Sequence, residues 1–519
     1  MTTYKQEVKN NSREEIWKNA IYSLTVNRNT SRLLREDKIR DIWNYFLYEF
    51  KITKKREDAL DFNNINYLNE WMQFSNSLYQ NKTAADLRIV YLCGPEPEND
   101  LEIMLRYGVK IENIWAVESN NLMYTKALQN LKKNSFPKLK IFKGQLNHVL
   151  NLLKINFDII YLDFTKSLLS KEAPLDTLHS IFDNNYLADL GILITNFPTP
   201  NEILDDDVTT VADFFYDTMW IEGRLKGDKT NEFYSHVGTL TSQSEFKEQI
   251  RENFDAAYSS FCTFYPMIYA ANVSPIYSIM NDDIARTQIF DDQNLSTYID
   301  TKPFIEDISQ FETQSPYVTS NDYFFINRLE EHLPNSRIYS KYTTKANGKK
   351  YTHKEAITVG IQARNNTELD CFNSKAKEYF GTTYNNMKIW EKHRLYCDVF
   401  FIHNLVELTI NTLGQTYHPN LEEHHRFSYK AKSTKMNVDI FVFDRCLPFY
   451  LFIPSLPLLE NATDLEDSEL FLRIMLDIIG GKQSTFTPLN TYKGSNAVSK
   501  GELSTVKFVE SINDRYFIK

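Results

Sequence analysis

Leu87-Arg88-Ile89-Val90-Tyr91-Leu92-Cys93-Gly94-Pro95-Glu96-Pro97 is the stretch on which the fold turns. A short run of β-branched and aromatic residues breaks at a glycine and two prolines, and a helical pattern from Asp100 to Tyr107 comes next. An apolar run too short for a helix, closed by turn residues and succeeded by helical spacing, predicts a buried strand leading into a helix. The unit then repeats. Asn113-Ile114-Trp115-Ala116-Val117-Glu118 precedes helical spacing around Leu122 to Leu131, and Leu139-Lys140-Ile141-Phe142 precedes a short helix from Asn147 to Leu152. Phe157-Asp158-Ile159-Ile160-Tyr161-Leu162-Asp163 and Gly191-Ile192-Leu193-Ile194-Thr195-Asn196 bring the number of predicted strands to five. Near-continuous apolar strands alternating with helices call for a parallel sheet covered on both faces.

On either side the texture differs. Before residue 82, Ile39, Ile42, Trp43, Phe46, Leu47 and Phe50 recur at steps of three and four, which predicts a helical unit, read as a layer or cap packed on the α/β region in preference to a dedicated interaction module. Beyond Val208 helices are expected near Phe214 to Trp220 and Gln243 to Phe254. The aromatic run Ser259 to Ala270 reads as a strand that would help close the sheet. From about residue 276 come a polar stretch from Asn281 to Tyr317, a Lys/Gly turn over Lys345 to Lys350, a mixed helical region and the apolar block Val438 to Leu458. The expected division is 1–82 helical, 83–275 α/β and 276–519 an α+β accessory region.

Composition narrows the class. The 519 residues carry 58 basic and 68 acidic side chains, a net charge of −10, so nucleic acid or an anionic membrane would have to be met by a local patch. With 42% hydrophobic residues, 15 glycines and 16 prolines the chain reads as well-ordered and globular. Five scattered cysteines, no CxxC pair, a polar start and no long apolar run lead us to expect a cytosolic protein without a disulfide framework or membrane span.

In an open parallel sheet, ligands bind beyond the carboxyl ends of the strands, where strand order reverses. The residues there are Gly94, Glu118, Gly144-Gln145, Asp163 and Asn196-Phe197-Pro198. This array, over roughly residues 85 to 200, resembles the class I S-adenosylmethionine-dependent methyltransferases. The resemblance implies a Rossmann-like domain in which Gly94 lets backbone approach the methionine part of the cofactor. Glu118 would accept the two ribose hydroxyls, a task that suits the two oxygens of a carboxylate. Gly144 and Gln145 would lie along the adenine edge, and Asp163 beside the methyl acceptor as the catalytic residue. The first turn departs from the family's GxGxG pattern, since Pro95 and Pro97 stiffen it and remove N–H donors. Glu96, Glu98 or Asp100 would then meet the cofactor's ammonium, unless Asp100 caps the helix after the turn. Asp163-Phe164-Thr165-Lys166 lacks the Asp/Asn-Pro-Pro-aromatic signature of amino-methylating members.

Two further clusters have functional and structural readings. His393, Cys397 and His403, with His418, His424 and His425 downstream, match no established zinc spacing, and no metal is expected. The segment Arg426 to Lys435 interleaves Arg426, Lys430, Lys432 and Lys435 with Phe427 and Tyr429. It reads as a nucleic-acid contact, or as a strand with its rings inward and its lysines in water. The functional expectation is a methyltransferase of unknown acceptor. Its rival is a catalytically silent relative that serves as a nucleotide-binding or scaffold protein with protein partners. In general layout the chain also resembles bacterial proteins of phage-defence loci.

Overall fold

The structure, a computed structural model, describes residues 3–44, 65–170, 173–215, 243–300, 351–365, 371–378, 406, 409–452 and 515–519. Phe46, Leu47, Phe50, the helix expected from Phe214 to Trp220, the Lys345 to Lys350 turn, and His393, Cys397 and His403 lie outside those residues in whole or part.

The five expected strands are present as β1 (Ile89–Leu92), β2 (Ile114–Glu118), β3 (Lys140–Lys143), β4 (Phe157–Asp163) and β5 (Leu187–Pro198). All four pairings among them are parallel, in the order β3-β2-β1-β4-β5. Helices α3 (Glu98–Arg106), α4 (Asn121–Lys133), α5 (Leu146–Leu153) and α6 (Ala173–Asp183) make the crossovers, and α1 (Thr3–Leu24) and α2 (Ile65–Tyr79) precede the sheet. Strand order therefore reverses between β1 and β4, as in Rossmann-like sheets.

Strand alternation divides the core in two. Ile89, Tyr91, Ala116, Ile159, Tyr161, Ile192 and Ile194 face one layer with Trp17, Leu101 and Met104; Val90, Val117, Ile160, Leu162 and Leu193 face the other with Leu150, Leu178 and Phe182. The N-terminal helix belongs to the first layer. Trp17 is wholly buried and sits edge-on to Tyr91 and Tyr161, at 6.2 and 5.5 Å between ring centres. Ile39, Ile42 and Trp43 are buried with it, as their spacing predicted.

The strand expected at Ser259 to Ala270 is instead helix α9 (Phe254–Ile268), which comes after α7 (Asp205–Phe215) and α8 (Gln243–Glu252). A π-helical turn, Tyr269–Val273, leads from α9 into α10 (Ser274–Asn281). Every residue from Ala257 to Ile268 is buried. A helix apolar all round has no amphipathic period, so its aromatic run reads as a strand.

The sheet is continued by segments far along the chain. β6 (His418–Pro419), β7 (His425–Ala431), β8 (Thr434–Asp444) and β9 (Tyr516–Ile518) give nine strands. β8 lies antiparallel to β5 from Leu190↔Asp444 to Pro198↔Met436, β7 is antiparallel to β8, and β9 is parallel to β7. The sheet thus crosses residue 275 without interruption. Helices α11 (Asp283–Ile289) and α13 (His353–Asn365) pack against α10, α12 (Asp292–Asp300) against α13, and α14 (Leu447–Phe452) against α2.

Candidate functional site

At the carboxyl ends of β1 and β2 three turns meet. The Cys93 N–H donates to the Val117 carbonyl, extending the β1–β2 pairing by one bond, and Gly144 N–H donates to the Glu118 carbonyl. Gly94 has φ +59° and Gly144 φ +153°, conformations that L side chains resist, so each glycine is required by its turn. A Cβ added at Gly94 would meet nothing within 4 Å, which leaves open space over the end of β1. Pro95 is held from behind by Asn130, whose Nδ2 donates to its carbonyl at 2.9 Å.

Glu118 ends β2 half-buried. Its Oε1 accepts the Asn120 N–H at 2.6 Å, while Asn120 Oδ1 caps α4 by accepting from Leu122 and Met123 N–H. The carboxylate is thereby fixed at the lip of the β1 turn. Burial, and then the charge of Glu118, push the neighbouring Cys93 thiol far above its ordinary range, so it is no nucleophile. Gln145 is exposed and stands at the start of α5. Glu96 is also exposed, and accepts from Asn99 Nδ2 at 3.1 Å.

Asp100 neither caps α3 nor faces the turn. It is buried inside that helix, where Trp17 Nε1 donates to Oδ1 at 2.8 Å and Arg13 Nε lies 3.6 Å from Oδ2. The reason is tertiary: α1 lies across α3, and the carboxylate answers the indole and guanidinium that α1 brings.

At the end of β4, Asp163 stands in register with Asn196 of β5. Asn196 Nδ2 donates to Asp163 Oδ1 at 2.7 Å and to Tyr429 Oη, on β7, at 2.9 Å. Burial raises the Asp163 carboxyl above the usual range against the pull of Lys9, with Asp100 adding to the rise. Asn196 Oδ1 is buried with no hydrogen-bond partner, an acceptor left unused. Asn196 was visible in sequence as a strand end. Tyr429, Arg13 and Lys9 were not, since only tertiary packing brings them to β4 and β5.

In the Arg426 to Lys435 segment, Phe427 and Tyr429 point into the core. Arg426 points to the opposite face and is buried, with Nη1 3.3 Å from Thr263 Oγ1. Lys430 and Lys432 stand in solvent, and Lys435 pairs with Asp255 at 2.7 Å. His418 and His424 are buried, and among the described residues no group of three His, Cys, Asp or Glu is placed to hold a metal. No described helix is long and apolar enough to cross a membrane.

No protein-family model matches the sequence, and no curated protein matches it. Among solved structures, the chain is similar to the Escherichia coli protein yhhF, described as a "putative methyltransferase". That match has 12% identity and a TM-score of 0.20, over 27% of this chain and 71% of that one.

Proposed function

We propose that this chain is an S-adenosylmethionine-dependent methyltransferase whose cofactor lies over the carboxyl ends of β1 and β2 and whose acceptor enters beside β4. The observation that carries the reading is the order β3-β2-β1-β4-β5 with an antiparallel strand pair beside β5, with Gly94 following β1 beside the switch point and Glu118 ending the neighbouring β2. A sheet of this methyltransferase type closes on such a pair. The residues fit the group: open space stands over Gly94, a carboxylate stands at the lip of the turn, and an unused acceptor stands at Asn196.

When bound, the cofactor supplies an electrophilic sulfonium methyl. The chain's part is to hold and to exclude water, the main source of rate in a transfer between positioned partners. Glu118 accepts from the ribose diol. Gly144 and Gln145 border the adenine, and Glu96 stands at the mouth of the turn. Asp163, held by Asn196, takes up or orients the acceptor's proton, and Asn196 Oδ1 offers that acceptor a hydrogen-bond partner. A nucleic-acid acceptor would meet Lys430 and Lys432, the two exposed cations of their hairpin.

Calorimetric titration of S-adenosylhomocysteine into wild type and Glu118→Ala tests this. Charge-assisted hydrogen bonds to a diol are worth about 1.5–3 kcal/mol each, so the variant should bind at least about tenfold more weakly. Its melting temperature should barely move. Equal affinities would refute the role of Glu118, and a wild type that binds neither S-adenosylhomocysteine nor S-adenosylmethionine would leave the scaffold reading standing. The stiff Pro95–Pro97 turn, poorer in N–H donors than a glycine turn, favours that second reading.

A further inference from the structure

Between Glu118 and Asp158 lie 39 residues that include seven lysines and no Asp or Glu. The chain has 68 acidic residues in 519, so their absence here belongs to this segment and not to the composition. Within a protein of net charge −10, a stretch of unanswered positive charge stands out. It folds as α4, β3 and α5, which together make one rim of the sheet. Among the described residues β3 is an edge strand, paired with β2 alone. Leu131 of α4 packs into one core layer, and Val149 and Leu150 of α5 into the other, so the two helices flank that edge from opposite faces.

All seven lysines are exposed. Lys126, Lys132 and Lys133 stand on α4, Lys138 leads into β3, Lys140 and Lys143 begin and end that strand, and Lys154 follows α5. Lys140 donates to the Glu112 carbonyl and lies over the Trp115 ring, 3.8 Å from its centre. Among the described residues none of the seven forms an ion pair, and the other six form no side-chain hydrogen bond. Glu118, in register with Lys143, is turned to the Asn120 N–H instead. Lysines on an edge strand keep other chains from pairing with it, and Lys132 and Lys133 suit the negative end of α4. Neither role accounts for Lys126, in the amino-terminal half of α4, nor for the lack of carboxylates over all three elements.

We propose that this rim grips the phosphate backbone of a nucleic-acid duplex, whatever its base sequence. A duplex carries one negative charge per about 1.7 Å of its axis, and each lysine seated on a phosphate releases a counterion. The segment holds no arginine to read guanine with a fork, and none of its aromatic side chains is exposed as a stacking platform for single strands. An anionic membrane suits the rim less. Its most exposed apolar side chains, Leu122 and Leu152, stand on helices that cover opposite faces of the sheet, so they do not enter one membrane plane together. The inference is independent of the methyltransferase reading, and of Lys430 and Lys432, which lie toward the other edge of the sheet.

The test is fluorescence anisotropy of a labelled DNA duplex of about 20 base pairs with the full chain, from about 50 to 200 mM salt. Binding should weaken with salt at a logarithmic slope of about −4 or steeper. Lys126→Gln with Lys133→Gln, and Lys138→Gln with Lys143→Gln, should each bind about tenfold more weakly at low salt and make the slope shallower by about two, with the melting temperature unchanged. Lys430→Gln with Lys432→Gln should bind as wild type. Should one rim pair not fold, the other decides. Unlabelled duplexes of other sequence, DNA or RNA, should compete equally, and single strands or phosphatidylserine vesicles poorly. That pattern supports the proposal. It is overturned by no binding at micromolar protein in low salt, by rim variants that bind like wild type, by a loss that follows Lys430 and Lys432 instead, by competition that depends on sequence, or by single strands or vesicles that displace the duplex at equal phosphate.

Discussion

Asp444 shows how a single carboxyl can tie stability to pH. It is buried at the end of β8, where Oδ2 accepts from Leu33 N–H and Tyr79 Oη–H and Oδ1 accepts from Cys446 N–H, at 2.9, 2.6 and 2.8 Å. Burial outweighs those three donors and pushes the carboxyl up to about 6, against 3.8 for an ordinary aspartate. The folded protein thus keeps this proton to higher pH than the unfolded chain does. The stability it contributes is fully present below about pH 4 and is lost as pH rises through about 6. At 1.36 kcal/mol per pH unit the loss comes to about 3 kcal/mol. In urea unfolding from pH 4 to 7, wild type should lose that much relative to Asp444→Asn, which cannot titrate. A pH-independent gap between the two would mean that Asp444 titrates as in the unfolded chain. Asp444 carried no signal in the sequence, where it merely stood inside an apolar block. Glu118 and Asp163 were legible because each closes a run of strand residues, and a strand end is a local feature.

Among elements, β9 is the least expected, three residues joined to the sheet from near the chain end. Its anchor is Arg515. Nη1 donates to the Phe427 and Val438 carbonyls, and Nη2 lies 2.7 Å from Asp439 Oδ2 and 2.9 Å from Thr263 Oγ1. Burial alone would raise the Asp439 carboxyl; Arg515, with His424 and Arg426 after it, outweighs burial and holds the group well below the usual carboxylate range. Breaking one side of a buried ion pair leaves an uncompensated charge, so Arg515→Ala should cost about 3 kcal/mol or more in chemical denaturation. Arg515→Lys, which keeps a cation beside Asp439 but lacks the guanidinium fork, should recover part of that loss. A lysine variant no more stable than the alanine one would show that Arg515 acts through its carbonyl bonds. The hairpin beneath β9 was partly legible, since alternation placed Phe427 and Tyr429 inward. The inward turn of Arg426 was not, because its partner Thr263 lies on a helix that read as a strand.

The whole molecule is bound by a sheet that begins at Ile89 and takes its last strand from Tyr516–Ile518, so segments far apart in the chain share one core. β8 runs along β5 from Leu190 to Pro198 and supplies Val438, Ile440 and Val442 to one face and Phe441 and Phe443 to the other. A fragment of residues 83–275 would expose the edge of β5 and both of those faces. Long bare apolar edges recruit other chains. We expect that fragment to aggregate or to melt without a cooperative transition by circular dichroism, whereas the full chain unfolds with one. A sharp, reversible transition in the fragment would establish 83–275 as a domain that needs neither β7 nor β8.

Local sequence suffices for the five parallel strands, the first three crossover helices and the residues that end each strand, whereas α6 was not read. Short β-branched runs, turn residues and helical spacing each act within a dozen or so positions, so each can be read in place. Only packing makes α9 recognisable as a helix, because burial on every side erases the period that would announce one. Packing also settles that β8, from far along the chain, seals β5 in the register Leu190↔Asp444, and that α1 claims Asp100. Pairings at such separation are selected by which faces fit and which buried charges find partners, and no window of sequence contains both sides of such a contact.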